Sequence, residues 1–260
     1  MNKSLLRPTV LIVTAALIVR VPLAYVLFGS VDLVNTIAAG DAAINGALYK
    51  NYPIPYFPLL SVAFYFGGVL ERLTSWPVAF WYKLFPVIFD CAMAVLVFDL
   101  VRTHAGDERA ALKAGLLYAL CPIAIIMSVA QVQWDMIDLY LLYLALHIRT
   151  TYRYDAVSAA TMGVLFTLSF LVKPYTVIFA VLLLPPCFDR MRAQFSFDRR
   201  FIARLLPLIG AGAATLLMGL AVMAFYGFQL LAIIHRIGAY ATIRGVETFG
   251  LPFVAPFFPH

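Results

Sequence analysis

The sequence predicts an all-α protein, a polytopic transmembrane bundle of seven to eight membrane segments in a single module over residues 1–260. Three observations carry that expectation. Hydrophobic residues make up 63% of the chain and charged residues 12%, with mean hydropathy +0.92, whereas a soluble domain is roughly half apolar and a quarter charged. The apolar residues gather in runs near the ~20 that a helix rising about 1.5 Å per residue needs to cross a bilayer. Lys and Arg fall in short segments between those runs, so the net charge of +6 reports membrane orientation and not a nucleic-acid partner.

Taken in order, the runs cover 8–28, 56–72, 78–101, 113–130, 134–148, 155–172, 174–188 and 205–228. The first follows a short basic start, Asn2 to Arg7, and is too long for a signal-peptide core, so it is read as a retained span. The basic groups Arg102, Arg109 and Lys113, then Arg149 and Arg153, then Arg190, Arg192, Arg199, Arg200 and Arg204, mark cytoplasmic turns. The turn at Gln131 to Asp135, the junction at Lys173 and the tail 229–260 then lie outside, as does the first external loop, 29–58. In that loop Val34 to Leu48 carries apolar residues at helical spacing and predicts an interfacial helix. Parity of crossing makes 56–72 a re-entrant or interfacial helix, or else a full span with a less tidy charge pattern. The series Gly210, Gly212, Ala213, Ala214 and Gly219 predicts a close helix-packing face. The apolar end, Leu251 to His260, reads as the close of a partial chain.

Cys91, Cys121 and Cys187 stand alone in apolar runs, without CxxC or Cys/His spacing, and are read as packing thiols. No Walker A loop, GxSxG or HExxH is present, and the sequence points to no metal and no cofactor.

An ionisable group in a membrane segment costs at least a few kcal/mol, which makes each one a candidate for function. Asp32, just past the first run, is placed to act as a base on a substrate half lipid and half sugar; it is equally placed to cap a helix starting near Leu33. Gln133 and Asp135 lie at an external turn that an apolar loop would fill more cheaply, although Asp135 also suits the dipole of the following helix. Asp138 is one turn further on. Lys173, before Pro174, and Arg244, beside Glu247 in a glycine-loosened loop, suit a phosphate; snorkelling and an ordinary surface loop are the plainer readings. Arg20, Asp41, Tyr52 and Tyr56 complete the candidate substrate-binding set, with Asp41 equally at home on a solvated helix face and the tyrosines in an interfacial belt.

Several stretches resemble the GT-C superfamily of membrane glycosyltransferases in colinear order. They are Ser30-Val31-Asp32-Leu33, Gly46-Ala47-Leu48-Tyr49, Tyr52-Pro53-Ile54-Pro55-Tyr56-Phe57-Pro58-Leu59, Lys83-Leu84-Phe85 with Asp90, Tyr118 to Pro122, Gln131 to Asp135, Lys173-Pro174-Tyr175, and Arg244 to Gly250. The likeness is nearest to dolichyl-phosphate-glucose-dependent glucosyltransferases and to bacterial polyprenyl-phosphate-sugar enzymes. It implies an inverting transferase that moves a sugar from a polyprenyl-phosphate donor to a glycan, lipid or protein acceptor. Asp32 would be the base, Gln133 and Asp135 would shape the site, and Lys173 and Arg244 would lie near the donor phosphate. Where the eukaryotic members carry a His and an aromatic-Asn ending, this chain has Gln131, Gln133, Trp134 and Asp135, so substrate identity does not transfer. Short loops favour a bacterial inner membrane with the site facing the periplasm. The rival expectation is a transporter or flippase for a lipid-linked or anionic solute, since buried charges also mark translocation paths.

Overall fold

Helix α1 spans Lys3–Val26, α2 Val31–Ile44, α3 Pro58–Leu73 and α4 Val78–Ala105. Then come α5, Glu108–Ala119, and α6, Pro122–Ile125, which continues as one π turn, Ile126–Ala130. The rest comprises α7, Asp135–Thr151, α8, Ala156–Phe170, a 3₁₀ segment Pro174–Leu183, the two-residue strands β1 (Phe188–Asp189) and β2 (Gln194–Phe195), and α9, Arg199–Phe225. The computed structural model describes residues 3–27, 31–48, 58–74, 76–184, 188–189, 194–195 and 199–225. The strands pair antiparallel, Phe188 opposite Phe195, and everything else regular is helical, in line with the all-α expectation.

Local chemistry sets the ends of these helices. Gly106 closes α4 in the left-handed conformation (φ 68°), its N–H donating to the Arg102 carbonyl at 3.1 Å; only a residue without Cβ takes that shape cheaply. Asp107 then caps α5, accepting from the N–H groups of Arg109 and Ala110 at 2.8 and 3.2 Å. Asp155 starts α8 with a reciprocal box, accepting from Ser158 N–H at 2.8 Å while Ser158 Oγ accepts from Asp155 N–H at 3.0 Å. The same Ser158 N–H holds the Asp155 carboxyl below the usual carboxylate range.

Among the described residues, three helices are long and apolar enough to cross a membrane: Leu6–Val26, Val78–Ala105 and Phe201–Val222. A fourth crossing results if α5 and the α6/π stretch, bent by 44° at their junction, count as one broken span. This is compatible with an integral membrane protein. The other apolar runs form shorter pieces because proline and polar turns interrupt them. The 174–188 run yields ten residues of 3₁₀ helix after Pro174, and 56–72 yields the sixteen residues of α3.

Packing divides into layers around α4. α1 and α5 lie on one flank and α7 on another, with α8 and α9 stacked outward from α7, while α2 pairs with α3 at one end. At the α8–α9 contact the two backbones come close together. A Cβ at Gly163 would meet the Leu208 carbonyl oxygen at 2.2 Å, and one at Gly212 would meet Thr167 Oγ1 at 3.0 Å. The expected small-residue face is only partly used: Gly212 and Gly219 face α8, while Gly210 has open space around it and Ala213 and Ala214 are exposed. At about 100° per residue, Gly210 lies some 200° around the helix from Gly212, so both cannot face one partner.

Gly163→Ala should therefore cost about 1–3 kcal/mol, because the clashing atom is backbone and cannot swing aside. Gly210→Ala should be neutral or stabilise by up to about 1 kcal/mol through helix propensity. Thermal unfolding of the two purified variants in detergent checks the contrast.

Candidate functional site

Two polar clusters are buried in the bundle, and they differ in how well their charges are satisfied. In the first, Arg20 of α1 and Asp90 of α4 are both fully buried, Nε to Oδ2 at 2.7 Å. Asp90 accepts two further bonds, from Tyr118 Oη at 2.9 Å and Ser128 Oγ at 2.9 Å, and Arg20 Nη1 also donates to the carbonyl of Ala119. Nearby, the buried Lys83 ammonium donates to the carbonyls of Ala24 and Leu27, two of the acceptors that the end of α1 leaves unused. Arg20, expected in the substrate-binding set, is thus an internal partner of Asp90 with no surface of its own. Two opposite charges, each inside an apolar run, were the sequence signal for such a pair.

The second cluster is built where helices break. After the π turn, Gln131 N–H donates to Ile126 O and Gln133 N–H to Met127 O, both at 3.0 Å. Val132 is forced to φ 54° while fully buried. A β-branched residue in that region stores on the order of 1–3 kcal/mol, which its packing must hold in place. The turn aims Asp135 at Lys173: Nζ to Oδ1 is 2.5 Å, and Tyr175 Oη donates to the same oxygen at 2.9 Å. Lys173 takes its position because α8 ends at Phe170 and Pro174 blocks its continuation. Both partners are about a quarter exposed, so the pair sits at an accessible edge of the bundle.

Beneath it lies Asp138, fully buried, with neither carboxylate oxygen in a hydrogen bond among the described residues. Its polar neighbours are Tyr175, Asp135 and Lys173, but a tyrosine has one hydroxyl proton, and Tyr175 gives it to Asp135. Ser169 Oγ donates to the Asp138 backbone carbonyl at 2.9 Å and leaves the side chain unserved.

One apolar cluster underlies this edge. Leu33 of α2, Leu60 and Phe64 of α3, Val132 and Trp134 of the turn and Val172 before Lys173 all belong to it. Trp134 Nε1 donates to Thr36 Oγ1 at 3.3 Å, and its ring meets Phe64 edge-on at 5.3 Å. Leu59 N–H donates to Leu171 O at 3.2 Å, joining α3 to the Lys173 junction. The start of α2, where Asp32 is the second residue, therefore shares a core with the turn and the junction. Gln133 is half-buried at the turn, while Asp41 is exposed on α2, in keeping with a solvated face. The Asp32 side chain and Tyr52, Tyr56, Arg244 and Glu247 lie outside the described residues. Tyr175 had no assigned role in the sequence-derived site, a polar group directly after Lys-Pro being the signal for it, whereas Asp138, one turn past Asp135, was already a candidate to face the same cavity.

The two buried acids should respond oppositely to amide substitution. Asp90→Asn should cost about 3 kcal/mol or more, because Arg20, fully buried, loses its counter-charge. Asp138→Asn should stay within about 1 kcal/mol of the parent or gain stability, because no donor is lost; detergent melting curves of both variants measure this. No family model, curated protein or solved structure matches the chain.

Proposed function

We propose that the chain is a membrane glycosyltransferase that moves a sugar from a polyprenyl-phosphate donor to an acceptor hydroxyl at the bundle edge formed by the start of α2, the Gln133–Asp135 turn and Lys173. The observation that carries the reading is convergence. Residues directly beside Asp32, Gln133 and Lys173, far apart in the chain, pack into one apolar cluster. A carboxylate, a polar turn and a cation next to apolar surface suit a substrate that is part sugar phosphate and part lipid.

In the proposed reaction Asp32 takes the proton of the acceptor hydroxyl, and the acceptor oxygen forms a bond to the anomeric carbon. The bond from that carbon to the phosphate oxygen breaks on the opposite face, and polyprenyl phosphate departs with the electron pair, which inverts the anomeric centre. Lys173 spends one N–H on Asp135, and an ammonium has three, so two remain for the phosphate; Arg244 would assist. Asp135 orients the ammonium, and Gln133 lines the sugar side. The donor tail stays in the bilayer. A bundle of seven to eight segments in a bacterial inner membrane, with the site facing the periplasm, completes the proposal.

The broken helices at Cys121 and Gln131 favour a second reading, a transporter, because such breaks line translocation paths. One preparation separates the two. Protein reconstituted with radiolabelled polyprenyl-phosphate sugar should transfer label to acceptor, and Asp32→Asn should slow transfer by ~10²–10⁴-fold, the usual share of a general base. Label that crosses the vesicle wall untransferred, equally in parent and variant, would replace the enzyme with the transporter.

A further inference from the structure

A groove among the described residues lies away from that edge. α7 is 17 residues long, so at about 1.5 Å each its two ends are roughly 25 Å apart. Asp135 stands at one end, and a groove of about 1110 Å³ leads to the other, between α1, α4, α7 and the start of α8. Its floor follows one face of α4: Ile88, Ala92, Val95 and Asp99 are spaced by four, three and four residues, a stripe of roughly 16 Å. Leu17 of α1 and Leu144 of α7 form facing walls. The groove opens to the flank of the bundle, where Ile88 and Val157 are 51% and 76% exposed.

Polarity changes along its length. The α1 and α4 walls are mainly aliphatic, with Val13, Leu17, Ile88, Ala92, Val95 and Leu96, whereas the far end carries Asp99, His147, Arg153 and Asp155. The charges there are mostly committed. Asp99 pairs with Arg102 at 2.5 Å and His147 at 2.8 Å, and Asp155 caps α8. Arg153 is exposed and interacts at longer range with the Asp155 charge, but its guanidinium enters no hydrogen bond or ion pair among the described residues. An apolar trough that ends at a guanidinium free of hydrogen bonds is complementary to a chain that ends in an anion, and a guanidinium can donate two parallel N–H groups to two oxygens of a phosphate or carboxylate.

We propose that this groove holds one hydrocarbon chain of a membrane phospholipid, with the lipid phosphate against Arg153. The site is independent of the sugar-transfer reading, since it lies at the opposite end of α7 and shares none of that site's residues.

Native mass spectrometry of the full chain, titrated in detergent with a phosphatidylglycerol and with a diacylglycerol of the same chains, tests it. The parent should bind one phosphatidylglycerol about tenfold more tightly than diacylglycerol, the worth of one charge-assisted contact. Arg153→Gln, at an exposed position, should bring the two to equal affinity. Ala92→Trp should abolish binding of both by filling the trough, and Leu144→Trp, from the facing wall, should do the same should the first variant not fold. Equal binding of the two lipids by the parent, a preference unaltered by Arg153→Gln, or binding that survives both tryptophans would overturn the proposal. So would displacement of the phospholipid by a polyprenyl phosphate at equal concentration, which would assign the trough to the donor tail.

Discussion

Arg20 and Asp90 meet fully buried, and much of the bundle is arranged around their ion pair. Three donors converge on Asp90: from α1 through Arg20, from α5 through Tyr118 and from the π turn through Ser128. Each would be a liability alone, since a buried hydroxyl without a partner is costly and a buried charge costlier still. Together they fix how α1, α5 and the helix break sit against α4. The same economy explains Lys83, whose ammonium serves carbonyls that the end of α1 leaves without partners.

The break that supplies Ser128 also makes the candidate site. A π turn shifts the helix out of register, Val132 is driven to positive φ, and the chain re-enters α7 with Asp135 turned toward Lys173. Straight helices would place those groups on separate faces. The strain at Val132 is held by the cluster around Trp134, which also anchors α2 and α3. The apolar packing and the polar edge are thus one construction, in which core residues determine where a carboxylate and an ammonium stand. Asp138 fits this view: the fold retains a buried acid without a hydrogen-bond donor directly beneath the pair, a cost that packing alone gives no reason to bear.

Composition and periodicity by themselves determined the helical class, the apolar character, a helix opening at residue 155 and the halt at Lys173-Pro174, because capping, propensity and proline chemistry act within a few residues; Arg109 and Lys113, expected in a turn, lie instead inside α5. The special standing of Asp135 and Lys173 was legible for a similar reason: charge beside an apolar run is costly wherever it lies. Only the tertiary structure decided which charges pair. Asp90 is 70 residues from Arg20 and Asp135 is 38 from Lys173, and nothing local tells a cation which distant acid it will meet. It also decided that Gly210 looks away from α8 while Gly212 looks toward it, and that apolar runs of similar strength became long helices in some places and broken turns in others. Those outcomes depend on how helices rotate to bring buried charges such as Arg20 and Asp90 together, a condition on the whole bundle that no single segment encodes.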